Sequence, residues 1–231
     1  MNLFRDALAW LLDPAQHTGA GRIAARVLEH LGYTLLALAV AALVAIPLGY
    51  LIGHTGRGRQ LAVALSGAAR ALPSLGLLTV LTLAVGIGDA WLAATVVLVV
   101  LGIPSVLAGA YAGLEAIDRD VIDAARATGM TEWQVLARVE APLGLPLLVG
   151  GLRSAALQIV ATAVLASYVG LGGLGIYIQR GIALRSYDEM LGGALLIVAL
   201  AVVVDAVLAA AARVARTIAA PARQPAVHTA D

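Results

Sequence analysis

The side chains that could ligate a metal or carry out acid–base catalysis are scattered along this sequence. Four histidines stand far apart, at His17, His30, His54 and His228, and no pair of them has the spacing of metal ligands. Cysteine is absent, which excludes zinc thiolates, a cysteine nucleophile and disulfides. The carboxylates show no catalytic cluster either. We therefore predict no catalytic residue and no metal site in this chain.

Three glycines, Gly170, Gly172 and Gly175, have the spacing of the dinucleotide-binding motif G-x-G-x-x-G. That motif binds a nucleotide only where it follows a strand and opens a helix within a βαβ unit. Here it follows a long apolar run that is typical of a helix. We interpret the segment as a flexible turn or gate. The sequence also has no P-loop, so we expect no ATP hydrolysis by this chain.

Ionisable residues inside apolar runs are better candidates for function than the scattered histidines. Arg70, Arg153 and Asp205 lie in such runs, where a charge is costly at membrane depth and marks a possible transport pathway. Pairing, for example of Asp205 with either arginine, or snorkelling to the interface explains them as well. Gln158 and Tyr168 follow Arg153 in the same run. They could line a wet face or form helix–helix hydrogen bonds.

The composition requires an apolar solvent around most of the chain. Hydrophobic residues make up 61% and charged residues 13%, whereas soluble domains have roughly 45–50% and about 25%. A helix needs roughly 20 apolar residues to cross the bilayer core. We predict an all-α polytopic membrane protein without a nucleic-acid surface, because the arginines are scattered. About five spans are expected, at residues 31–52, 61–86 with a kink near Leu72, 90–112, 143–169 and 190–212.

The flanking segments complete the predicted organisation. Residues 1–30 form an interfacial or extracytoplasmic segment with a short helix near Trp10, and residues 31–212 form the transmembrane domain. Residues 213–231 are predicted to be a cytoplasmic tail, disordered beyond Pro221. Eight arginines against five place the loop at 114–142 in the cytoplasm.

That loop has the signals of two short helices joined by a turn. Asp118 or Asp120 can cap the first helix, and Gly129 suits the turn that ends it. Thr131 and Gln134 have the spacing of a capping box for the second helix. The loop is therefore an ordered connector or a docking surface for another protein.

The docking interpretation depends on particular residues. Ala124 and Ala125 are small enough for another backbone to approach closely, and Met130 and Trp133 could insert into a groove of a partner. Pro142 is expected to end the second helix and to start the fourth span.

The loop resembles the permease signature of bacterial ATP-binding-cassette (ABC) importers, which reads EAA, three residues, G, nine residues, I, one residue, LP. The matching positions here are Asp123, Ala124, Ala125, Gly129, Val139, Ala141 and Pro142. Asp replaces Glu, Val replaces Ile and Ala replaces Leu. Further stretches are similar to the osmoprotectant branch, which imports glycine betaine, carnitine, choline and related quaternary amines. These stretches are ALPSLGLL (71–78), DRDVIDAARATGM (118–130), GLRSAALQIVATAVLASYVGLGGLG (151–175) and MLGGA (190–194).

The resemblance, which covers roughly residues 30–212, implies a type I ABC importer permease fold in the bacterial cytoplasmic membrane. Two permease chains, identical or sister, would form the pathway, and a separate extracytoplasmic protein would deliver the solute. A cytoplasmic ATPase, which would bind ATP and Mg²⁺, would dock on the loop, so this chain needs no cofactor. The resemblance assigns the docking to Asp123, Ala124, Ala125, Gly129, Met130, Trp133 and Pro142.

Two other classes of protein compete with this interpretation. A stand-alone secondary transporter or channel is expected to show inverted repeats, broken helices with paired charges, or a filter motif. A membrane-embedded enzyme is expected to show catalytic groups that converge at one depth. Only the importer interpretation requires a partner ATPase, so the loop distinguishes the three.

Overall fold

A computed structural model describes residues 2–19 and 21–219 of the chain, and this part is almost entirely helical. The long apolar runs form helices because a helix pairs every backbone N–H and C=O within itself, as an apolar solvent requires. The α-helices are α1 (Leu3–Leu12), α2 (Ile23–Thr55), α3 (Arg59–Ala71), α4 (Ser74–Val85), α5 (Ala90–Glu115), α6 (Arg119–Ala127), α7 (Glu132–Val135), α8 (Ala141–Thr162), α9 (Gly175–Leu184) and α10 (Tyr187–Ala219).

Four helical segments of the described chain are long and apolar enough to cross a membrane. They are α2, α5, the continuous path Glu132–Val169 that contains α7 and α8, and α10. Helices α3 and α4 form a fifth candidate span, bent by 86°. The bend lies at Leu72 and Pro73, because a proline lacks the N–H that would continue the helix. The predicted kink and the prediction of about five spans are confirmed.

Two helices extend beyond the predicted transmembrane domain, whose boundaries stay a prediction. Helix α2 begins at Ile23, ahead of residue 31, and its 33 residues extend for about 50 Å. Helix α10 runs to Ala219, beyond the predicted start of the tail at residue 213, because alanine-rich sequence continues the helix. The predicted disorder beyond Pro221 lies outside the described residues.

The fourth span does not begin with a break at Pro142. A π-helical segment, Leu136–Glu140, joins α7 to α8, so the helical path continues through Pro142. A proline has no N–H to donate, and its ring crowds the carbonyl four residues earlier; the wider π turn ahead of Pro142 leaves room for the ring. Pro142 thus stands in the first turn of α8, as predicted, but the prediction that it ends the preceding helix is wrong. The span closes with a 3₁₀ segment, Ala163–Val169.

Glycines hold α5 and α8 at very short separation. Gly109 and Gly113 of α5 face Gly151 and Gly144 of α8. A Cβ atom added to Gly151 would lie 2.6 Å from the carbonyl oxygen of Ser105 and 2.9 Å from the Cα of Gly109. Small residues at such crossings allow close backbone contact, and this packing favours helix association in lipid.

This crossing predicts different outcomes for two adjacent glycines. Gly151→Ala would overpack the α5–α8 contact, and we expect it to lower the free energy of unfolding by about 1–3 kcal/mol. Gly150→Ala is the matched control, because nothing lies within 4 Å of the added Cβ. Thermal unfolding of both variants in the same detergent measures the difference. Equal melting temperatures for the two variants would contradict the packing described here.

Candidate functional site

Local hydrogen bonds build the helix–turn–helix between α5 and α8 as the sequence predicts. Asp118 is the cap of α6, because its carboxylate accepts a hydrogen bond from the backbone N–H of Asp120 at 3.0 Å. Gly129 makes the turn with a φ of +86°, a conformation that favours glycine. The capping box of α7 is also present, with Thr131 N–H to Gln134 Oε1 at 2.9 Å and Gln134 N–H to Thr131 Oγ1 at 3.4 Å.

The helix pair has its own small apolar core. Ile122 and Ala125 of α6 pack with Val135 of α7, and Met130 and Val139 cover this cluster. Two of the residues predicted to dock a partner, Ala125 and Met130, therefore hold the two helices together from the inside.

The other predicted docking residues face outward. Asp123, Ala124 and Gly129 are exposed, and Trp133 is 74% exposed on the surface of α7. We call these four residues the docking face. Pro142 stands apart from them, half-buried at the start of α8. A largely exposed tryptophan is a feature typical of a protein-interaction site.

Arg126 of α6 forms ion pairs on both sides of the turn, with Glu132 of α7 and with Asp123 of α6. Its Nε and Nη2 atoms donate to the two carboxylate oxygens of Glu132, both at 2.9 Å, and its Nη1 lies 3.4 Å from Asp123. The hydrogen bond to Glu132 and the charges of Glu132 and Asp123 raise the pKa of Arg126. Exposed ion pairs contribute little stability, but this two-point contact fixes the angle between α6 and α7.

Sequence reasoning missed two residues behind the helix pair. His54, in the last turn of α2, lies 2.5 Å from a carboxylate oxygen of Glu140 through Nδ1 and 3.3 Å from one of Glu132 through Nε2. Glu140 is almost fully buried, and 86 residues separate it from His54 in sequence. The one indication in the sequence was the carboxylate of Glu140 directly before an apolar span, where a charged group needs a partner. Among the described residues, no group of three or more His, Asp or Glu could hold a metal.

The structure brings together two of the five residues predicted for a pathway. Arg153 of α8 and Asp205 of α10 form a two-point ion pair, Nε to Oδ1 and Nη2 to Oδ2, the latter at 2.7 Å. Pairing of Asp205 with an arginine is thus confirmed. Arg70 instead donates to the hydroxyl of Ser105 on α5 at 3.2 Å. A pathway role for any of these residues stays a prediction.

The two remaining candidates, Gln158 and Tyr168, are exposed on the same helical path as Arg153. Gln158 lies on α8, and Tyr168 lies in the 3₁₀ segment that follows it. The hydrogen bond described for Gln158 uses its backbone carbonyl, which accepts from the hydroxyl of Thr162 at 2.8 Å. Their predicted roles, on a wet face or between helices, stay open.

Side chains at the start of α2 contact the glycine-rich segment before α9. The carboxylate of Glu29 accepts a hydrogen bond from the N–H of Gly173 at 2.8 Å, and His30 Nδ1 accepts from the N–H of Leu174 at 3.3 Å. The other ring nitrogen of His30, which is buried, donates to the carbonyl of Val160 at 2.9 Å. The start of α2 therefore contacts this segment through two hydrogen bonds, and the expected flexible turn or gate stays a prediction.

A bundle of membrane-length helices with an exposed, well-capped helix pair between two spans is the architecture of an ABC importer permease. Residues 45–217 match the family described as binding-protein-dependent transport system inner membrane component. The chain belongs to this family, and it is a multi-pass membrane protein with a transport role rather than an enzymatic one.

Characterised relatives and a solved structure agree with this assignment. The chain is 31% identical to the glycine betaine/carnitine/choline transport system permease protein OpuCB of Bacillus subtilis, over 85% of this chain and 89% of the relative. It is 32% identical to the osmoprotectant import permease protein OsmW of Salmonella typhimurium, over 87% and 92%. The inward-facing MetNI methionine ABC transporter shares the fold, with a TM-score of 0.71 and 24% identity over 91% and 97% of the two chains.

The ion pair between α8 and α10 yields a stability prediction. Asp205→Asn leaves the Arg153 charge without its partner in an otherwise apolar helix, so we expect the melting temperature to fall. The double variant Arg153→Gln with Asp205→Asn removes both charges and should recover part of the loss. Thermal unfolding in detergent compares the three proteins. A single variant that melts like the wild type would show that Arg153 needs no partner.

Proposed function

We propose that this chain is the membrane-spanning permease subunit of an ATP-driven importer of quaternary-amine osmoprotectants. One observation carries the proposal: an exposed helix pair stands between two spans in a chain that aligns along most of its length with osmoprotectant permeases. The relatives are named for glycine betaine, carnitine and choline. A second permease, identical or sister, would supply the other half of the pathway.

The docking face is the proposed contact for a cytoplasmic ATPase that binds ATP and Mg²⁺. Trp133 offers a large apolar anchor, and Ala124 leaves room for a partner backbone. The core of Ile122, Ala125 and Val135 and the Arg126 contacts keep the face rigid. Rigidity supports a mechanical role, because a displacement of the ATPase is then transmitted instead of being absorbed.

Tight recognition of the solute is proposed to reside in a separate extracytoplasmic binding protein. Quaternary ammonium groups are bound by cages of several aromatic rings. Within the described part of the chain, the ring pair in contact is Trp10 with Tyr177, edge to face at 5.1 Å, and two rings do not form a cage. The permease would therefore supply a low-affinity passage, with Arg70, Arg153, Gln158, Tyr168 and Asp205 as candidate pathway residues.

Two features expected of a secondary transporter are present, namely the broken helix α3–α4 and the paired charges Arg153 and Asp205. They do not favour that class here. The bend follows from Pro73, and the ion pair stabilises the contact between α8 and α10. The family match covers the whole region that contains both features.

The docking proposal predicts opposite outcomes for two variants at one position. Trp133→Glu should weaken ATPase binding by about 30-fold, because it replaces the exposed apolar anchor by a charge. Trp133→Phe keeps an aromatic ring and should retain most of the binding. Co-purification of the ATPase with each permease in nanodiscs measures this, with elution volume as the test of folding. Equal retention by both variants, or no retention by the wild type, would overturn the proposed docking.

A further inference from the structure

The side chain of His54, at the end of α2, connects that helix to the pair formed by α6 and α7. Both of its ring nitrogens face carboxylate oxygens, Nδ1 that of Glu140 and Nε2 that of Glu132. The contact between Nδ1 and Glu140 is a hydrogen bond, and the contact between Nε2 and Glu132 is longer, at 3.3 Å. We call the three residues His54, Glu132 and Glu140 the clamp.

Glu140 is the buried carboxylate of the clamp, and it needs the hydrogen bond to His54. The side chain of Glu140 is 3% exposed, that of His54 15%, and that of Glu132 57%. A buried carboxylate without a hydrogen-bond partner is strongly unfavourable. Glu140 therefore holds His54 in position, and the more exposed Glu132 is held in turn by His54 and Arg126.

The clamp bridges the least regular stretch of the path from α7 into α8. Glu132 begins α7, Glu140 ends the π-helical segment, and His54 reaches both. A π turn departs from the regular α-helical hydrogen-bond ladder, and such turns frequently occur at functional sites. A displacement of the helix pair could be absorbed in this segment unless a second connection bypasses it.

On the other side of the clamp, α2 is packed firmly against α5. A Cβ atom on Gly53, the residue before His54, would lie 2.8 Å from the Cβ of Leu114 and 2.9 Å from the carbonyl oxygen of Tyr111. One turn earlier, the same atom on Gly49 would lie 3.0 Å from the carbonyl oxygen of Leu107. With backbones in contact, α2 cannot move at this end without α5.

We propose that His54 is a positioning residue for transport: it transmits displacements of α6 and α7 to α2 and α5. The inference rests on the proposed function, in which an ATPase moves the helix pair. Without the clamp, the ATPase still binds the docking face, which includes neither His54 nor its buried partner Glu140. The displacement is then taken up in the π-helical segment. ATP hydrolysis continues, but less of it results in transport.

The test is the amount of radiolabelled glycine betaine taken up per ATP hydrolysed, in proteoliposomes that contain the permease, the ATPase and the binding protein. We expect His54→Gln to lower this ratio about fivefold or more, with ATPase co-purification unchanged. His54→Arg provides N–H donors for both carboxylates and should retain most of the ratio. His17→Gln is the matched control, because His17 is exposed and lies outside the clamp.

Two results would overturn the inference. One is an unchanged ratio in His54→Gln, and the other is an equal loss in His54→Gln and His54→Arg, which would mean that the side chain only fills space. If His54→Gln does not assemble, Glu132→Gln opens the exposed half of the clamp, with Arg126→Gln as the control for the contact between α6 and α7. An unchanged ratio in Glu132→Gln also overturns the inference. Failure of the proposed function would show separately, as wild-type proteoliposomes that take up none of glycine betaine, carnitine and choline.

Discussion

The close approach of α5 to both α2 and α8 is the constraint on which the rest of the structure depends. Lipid offers no hydrophobic drive for one helix to pack on another, so backbone contact at small residues must supply the attraction. Gly49 and Gly53 provide it on one side of α5, and Gly109 with Gly151 provide it on the other. Because α2 and α8 are held on the same helix, their ends meet beside the helix pair that follows α5.

The charged residues inside the bundle follow from the same arrangement. Arg153 pairs with Asp205, His54 with Glu140, and Glu29 with the backbone of Gly173. Each contact joins two elements that are far apart in sequence. A charge at membrane depth is tolerated when it has a partner, so these pairs both satisfy buried groups and fix which helices are neighbours.

Much of this structure could be predicted from sequence because its signals are local. The turn at Gly129 and the capping box of Thr131 and Gln134 lie within a few residues of the groups they bind, and hydropathy alone indicates the spans. The start of α2 could not be predicted in this way. Glu29 and His30 look unsuitable for a span until their partners, more than a hundred residues away, are known.

The same distinction applies to the candidate site. The sequence identifies the helix pair, but not which of its residues face inward, because Ala125 and Met130 look as suitable for docking as Ala124 until the pair is packed. The contact between His54 and Glu140 spans 86 residues and has no local signature. The π-helical segment before Pro142 could not be predicted either, because a proline at that position predicts a break in the helix.

The measurement that tests the central claim most directly is glycine betaine uptake into proteoliposomes that contain this permease, its ATPase and its binding protein, with ATP enclosed or omitted. The account predicts uptake that requires ATP, the ATPase and the binding protein together, and that persists when ion gradients are collapsed. Uptake by the permease alone, driven by an ion gradient without ATP, would contradict it and identify a secondary transporter.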